Sequence, residues 1–340
     1  MTSDPRPRLP EARGPLSELV VDHLQRPPHP LPRCPPLDDD PLTGDDLHLA
    51  LYACYELHYR SFAGVDEGWE WDPGLLALRR DLESAFELGV LAAVGPPMEV
   101  DDVEADLHRL VASGEGPSLS TYMAERGTRE QLREFAVHRS AYQLKEADPH
   151  TWAIPRLAGG PKAAIVEIQA DEYGGGVEGE MHATLFGDTM AALGLDPTYG
   201  AYLDRLPGVT LATVNLVSLF GLHRRWRGAL VGHLAVFEMT SVEPMGRYSR
   251  ALARLGSSLE GRRFYDVHVE ADVRHAVVAV RRMAAGLAAR EPALAPDIAF
   301  GAQALMAVED RFARHLLSSW AAGRSSLLEP ASSPAGPRAR

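Results

Sequence analysis

The chain has 340 residues, 45% apolar and 24% charged, and a net charge of −13 at pH 7. That is ample for a sizeable core, while the acidic balance excludes nucleic acid as a main partner, because binding it needs a basic surface. With only Cys34 and Cys54, no apolar run of roughly 18 residues and no signal-peptide order at the N-terminus, a disulfide framework and a membrane span are excluded and a cytoplasmic setting is expected.

In chain order, residues 1–45 hold 11 of the 26 prolines and end in the acidic run Asp38–Asp40. They read as a disordered tail with room for a short helix in PLSELVVDHLQ. Helical periodicity then dominates, over 46–63, 74–93, 100–113, 128–147, 161–173, 177–193, 208–223, 227–242, 263–288 and 295–320. Breakers such as Pro97, Pro149, Pro197, Pro207 and Pro244 fall between these runs. No alternation of period two is long enough for a sheet. The fold class is therefore all-α, with an N-terminal helical annex at 46–117, a core at 118–320 and a solvated tail at 321–340.

The stretch 264–282 carries His268, Asp272 and His275 at i, i+4 and i+7, which places them on one helix face. Apolar Ala271, Val278 and Ala279 lie near that face, so it is expected to look inward. Buried ionisable groups need partners or a metal to offset their desolvation. A second cluster spans 164–190, where Glu172 precedes three glycines and His182 follows them. Glycine costs a helix about 1 kcal/mol per residue, so the helix is expected to break after Glu172. On a continuous helix Glu172 and His182 would stand about 15 Å apart; a turn lets both reach one site. Glu178, four residues before His182, is the alternative partner. A third inward carboxylate, Glu238, lies between Phe237 and Met239 in an otherwise apolar helix. Three imidazoles and three carboxylates without a thiolate suit a pair of first-row metals and speak against structural zinc or an iron–sulfur cluster.

DEYG at 171–174 with MHATLF at 181–186, FEMTS at 237–241, and HVEADVRH at 268–275 together resemble the haem-oxygenase-like di-iron oxidases, the iron-containing redox enzymes. The flanking runs 142–157 and 199–233 are similar as well, and the resemblance covers roughly 118–320. It implies a haem-oxygenase-like helical bundle without haem. It also implies two Fe(II) per chain held by Glu172, His182, Glu238, His268, Asp272 and His275, and O2 as co-substrate. Members of the family oxidise nitrogen, or fragment or desaturate aliphatic amino and fatty acids. The expected reaction is a non-haem di-iron oxygenase or oxidase step on a small organic substrate through a peroxo-di-iron intermediate, with Glu238 as the bridging carboxylate and Tyr173 donating to a ligand. Leu234, Phe237, Met239 and Phe186 are expected pocket walls, and Arg224 or Arg227 a grip for a substrate carboxylate. An external electron donor and a homodimer are the partners the reading allows. Two rivals remain: a metal-free helical binding or regulatory module, and a cofactorless or thiaminase-like member of the same fold, which would need a buried nucleophilic cysteine near the site.

Overall fold

In the computed structural model residues 4, 6–114 and 116–329 are described, and among them every regular element is helical. The α-helices are α1 (Pro15–Leu24), α2 (Asp45–Glu56), α3 (Pro73–Val94), α4 (Val103–Ala112), α5 (Leu119–Glu125), α6 (Arg129–Gln143), α7 (Asp148–Thr151), α8 (Gly159–Glu172), α9 (His182–Ala192), α10 (Gly208–Leu222), α11 (Arg227–Arg254), α12 (Arg263–Val277), α13 (Gly286–Arg290) and α14 (Ala295–Ala321). A π-helical segment, Val278–Ala285, joins α12 to α13. None of the described helices is long and apolar enough to cross a membrane.

Helix starts follow local chemistry. Asp72 caps α3 through the Leu75 amide, with Pro73 in the first turn, and Thr128 with Gln131 forms a reciprocal capping box on α6. The long α11 is the axis of the bundle, packed against α12 and α14 along its length and against α10 at its start. Its approach to α14 requires glycine on both sides: a Cβ at Gly232 would lie 1.8 Å from the Ile298 carbonyl oxygen, and one at Gly301 2.0 Å from that of Ala229. Only a missing side chain lets the two backbones come this close.

Several boundaries differ from the sequence-based expectation. Pro244 lies inside α11 rather than ending it; it cannot donate to the Thr240 carbonyl, but packing of both flanks of α11 against α12 and α14 outweighs that loss. The expected helix 263–288 changes to π-helical winding three residues after His275, and α5 was not expected at all.

The proline-rich segment is not a disordered tail. Leu16, Val20 and Leu24 of α1 are buried, and Asp46 accepts hydrogen bonds from the Leu16 and Ser17 amides at 2.9 and 2.7 Å. Extended prolines need few backbone donors satisfied, so such a segment can lie on a core without forming a regular element. Nor are residues 46–117 an annex: α2 is buried almost throughout and packs against α10 within the same apolar core. Beyond α14, Ser326 is buried and its hydroxyl donates to Glu134 at 2.7 Å, so residues 322–329 fold back onto the bundle. The rest of the tail expected at 321–340, residues 330–340, lies outside the described residues.

Candidate metal centre

Local backbone geometry delivers each acidic or imidazole side chain to one point between α8, α9, α11 and α12. Helix α8 ends at Glu172, and Gly174, Gly175 and Gly176 follow with φ of +63°, +61° and +85°. A Cβ at Gly174 would sit 2.4 Å from the Glu180 carbonyl carbon. This left-handed turn folds the chain back so that His182 opens α9 beside Glu172. From α12, His268, Asp272 and His275 face the same point, and from α11 Glu238 does; all six side chains are buried.

A seventh residue joins them. Glu146, between α6 and α7, is buried, and its Oε1 lies 3.8 Å from Nε2 of His268. The next residue, Ala147, has φ of +75° although it is not glycine. Such a conformation persists only where the surroundings enforce it; here the Ala147 carbonyl accepts from Gln169 Nε2 at 2.8 Å and from the Thr151 amide at 3.1 Å. Glu146 is absent from the sequence-based candidates, and its neighbour Lys145 gives no local sign of burial, since lysine and glutamate are mostly exposed. Lys145 is in fact buried, its Nζ 2.8 Å from Glu56 Oε2 on α2.

The donors fall into two interlocking groups. One ligand atom each from Glu146, Glu172, His182 and His268 lie within 4.8 Å of one another, and the same holds for Glu172, Asp272 and His275. Glu172 is common to both. Glu238 flanks the second group, with Oε2 3.5 Å from His275 Nδ1.

The imidazoles are oriented by their outer nitrogens. His268 Nδ1 donates to the Phe264 carbonyl at 2.7 Å, leaving Nε2 to the site. His275 Nε2 donates to Asp171 at 2.9 Å, leaving Nδ1 to the site. Carboxylates and carbonyls behind metal-ligating histidines fix the tautomer in this way. The inward atoms, by contrast, lack partners among the described residues: Glu146 Oε2, both carboxylate oxygens of Asp272, His275 Nδ1 and His182 Nδ1 are buried without a hydrogen bond. His182 Nδ1 lies 2.7 Å from Glu172 Oε2 but out of line for one. Buried donor atoms converging without hydrogen bonds are what a cation would reconcile.

Electrostatics point the same way. Burial raises Glu172 and Glu238 to about 7 and holds Glu146 well above the usual carboxylate range. Burial lowers His182 to about 4 and also depresses His268. On His275 burial acts downward, but Asp272, Glu238 and Asp171 outweigh it and raise the ring to about 11. Lys145 is held by Glu56 and Arg139 by a two-point pair with Glu309 at 2.8 and 2.7 Å, so among the described residues the positive charge facing these carboxylates comes from the His275 ring. A cavity of about 10 Å³ opens among Glu146, Glu172, Glu238, His268 and Asp272, and the donor set fits hard to borderline first-row metals.

Other sequence-based candidates are placed elsewhere. Glu178 is exposed, whereas Glu172 is buried at the cluster. Tyr173 donates its hydroxyl to Asp148 at 2.8 Å and meets Thr151 at 3.0 Å, so it serves the α7 turn and not a ligand. Leu234 and Phe237 line the cavity, whereas Phe186 packs on Phe264 at a ring distance of 5.1 Å, away from it, and Met239 is not on its wall. Arg224 is exposed and Arg227 pairs with Glu291 at 2.6 Å. Arg227 stands about 16 Å along α11 from Glu238, too far to grip a substrate at this site. Cys34 and Cys54 are not on the cavity wall.

Residues 133–310 match the family model described as iron-containing redox enzyme, of the haem-oxygenase type. No curated protein matches the chain.

Proposed function

The chain belongs to the iron-containing redox enzyme family, and on that premise we propose that its buried cluster holds two iron ions and oxidises a small organic molecule with O2. The observation that carries the reading is the sharing of Glu172 between two groups of donors, in which Glu146, His182, Asp272 and His275 each have a buried atom without a hydrogen bond. One ion would take Glu146, Glu172, His182 and His268; the other would take Glu172, Asp272 and His275, with Glu238 beside it. Glu172, rather than Glu238, would then be the residue common to both ions. When bound, two ferrous ions would supply O2 binding and electrons for its reduction, with an external reductant restoring them between turnovers.

The chain's own share is orientation and exclusion of water. Asp171 and the Phe264 carbonyl hold two imidazoles in register. Leu234 and Phe237 close the cavity on the α11 side and keep bulk water from it. His150 lines the same cavity, with Nε2 3.1 Å from His233 Nδ1 and Nδ1 3.4 Å from the Tyr142 hydroxyl. Burial keeps His150 and His233 neutral, so His150 offers one nitrogen as donor and one as acceptor to hold polar groups in place at the cavity.

The test is metal stoichiometry with O2 consumption. Wild type should load about two irons per chain and consume O2 when reduced, while Glu172→Ala should lose loading at both positions. Loading of two irons by Glu172→Ala would remove the shared-carboxylate reading.

A further inference from the structure

A second and far larger cavity, of about 930 Å³, lies behind the first and shares Tyr142, Phe237 and Ser241 with it. It opens between Ser113, Gly114, Gly116, Pro117 and Ser118 on one side and α11 and α14 on the other. Its size is that of a small-molecule site. We propose that it is the substrate chamber and that its occupant is an uncharged molecule built on an aromatic ring. As a substrate chamber it rests on the oxygenase reading above; as a binding site it stands on the chemistry of its wall.

Among the described residues the charges of that wall balance. Its charged side chains are Arg139, Glu309, Asp310 and Arg314. Arg139 is bonded through its two terminal nitrogens to Glu309 and lies 4.4 Å from the Phe312 ring centroid and 5.5 Å from that of Phe135. Arg314 pairs with Asp310 at 2.7 Å. No cation is free for a carboxylate, so an acidic ligand would enter without a counter-charge, at a cost of more than a factor of ten in affinity.

Phe135, Tyr142, Phe237, Tyr248, Tyr265 and Phe312 give the wall an aromatic side, set among aliphatic and small polar residues, and the wall carries unused hydrogen-bonding capacity. Phe135 stacks on Tyr248 at 4.6 Å, Tyr248 lies 5.7 Å from Tyr265, and Tyr142 meets Phe237 edge-on at 5.4 Å where the two cavities join. Such faces and edges favour a flat ring in offset or edge contact. Gln143 Oε1 is buried without a donor, and the Tyr248 and Tyr265 hydroxyls make no hydrogen bond to described residues. One ring N–H or O–H on the ligand would satisfy Gln143. Phe237 and Tyr142 then stand between the ring and the donor cluster, as the point through which the reacting atom reaches it.

The probes are indole, indole-3-acetate and tryptamine, which share a ring and differ in charge, titrated calorimetrically into the metal-free full-length chain. Indole should bind at one site, and both charged analogues at least about tenfold more weakly. Gln143→Leu should weaken indole about fivefold, the worth of one hydrogen bond, and Met306→Trp, elsewhere on the wall, should abolish binding by filling the chamber. Far-ultraviolet and melting profiles of both variants check that they fold. If either charged analogue binds as tightly as indole, the ligand class is wrong. If indole does not bind, or binds equally to wild type and both variants, the chamber is wrong. Because the titration uses no metal, failure of iron loading leaves this result untouched, and the two readings fail separately.

Discussion

Asp171 holds His275 from behind: its Oδ2 accepts the Nε2 proton at 2.9 Å, while Nδ1 of the same ring faces Glu172 Oε1 at 3.6 Å on the inner side. Adjacent residues of α8 thus address opposite sides of one imidazole, the first to orient it and the second to share its task. Asp171→Ala should therefore lower metal affinity about 10- to 100-fold without removing a ligand. Competition against a chelator measures it, and unchanged affinity would show that Arg274, which also pairs with Asp171, is the only partner Asp171 serves.

His275→Ala or Asp272→Ala should remove loading at one of the two positions and leave the helical signal largely intact, since both lie on α12 among polar donors and not in an apolar cluster. Unfolding of either variant with metal binding unchanged would make these residues structural.

Glu146→Ala should reduce loading as severely as His268→Ala, because the two face each other across the same group. Exposed Glu178→Ala should leave loading at the wild-type level. The reverse pattern, measured by metal analysis after dialysis, would return the first carboxylate to Glu178.

Metal uptake should depend on pH with a definite sign. Glu172 and Glu238 are raised from 4.5 to about 7, so between those values the folded metal-free chain holds protons that the unfolded chain has released. Their contribution to stability falls as pH rises through this window and is lowest above it. A divalent ion replaces those protons. The melting-temperature gain on adding Mn(II) should accordingly be larger at pH 8 than at pH 6, with protons released at pH 7. Equal gains, or proton uptake, would contradict the assignment.

Lys145→Ala should destabilise the fold by about 3–5 kcal/mol, since it leaves Glu56 buried and charged without its partner. Urea unfolding measures it. A loss under about 1 kcal/mol would mean that Tyr199, 2.7 Å from Glu56 Oε2, suffices alone.

The all-α class and the inward face of α12 were legible because periodicity is a local property, and His268, Asp272 and His275 are spaced for one face whatever packs on it. The break after Glu172 was legible from three glycines. Glu146 was not, because its burial depends on Lys145 reaching α2, a partner 89 residues away in sequence. The proline-rich segment misled for a similar reason: its order comes from Asp46 and the apolar face of α1, not from its own composition. Pro244 was read as a stop because its local cost is visible and the packing that overrides it is not. Tyr173 had the right neighbourhood but the wrong direction, which a single rotamer decides.

The central claim is that one buried cluster holds two irons across a shared carboxylate. Anaerobic Fe(II) titration of the metal-free chain, followed by exposure to O2, tests it most directly. The account expects saturation near two irons per chain and an O2-dependent change in visible absorbance that Glu172→Ala lacks. Absence of iron binding, or tight binding of zinc alone with no response to O2, would contradict it and leave a metal-free helical binding protein as the better description.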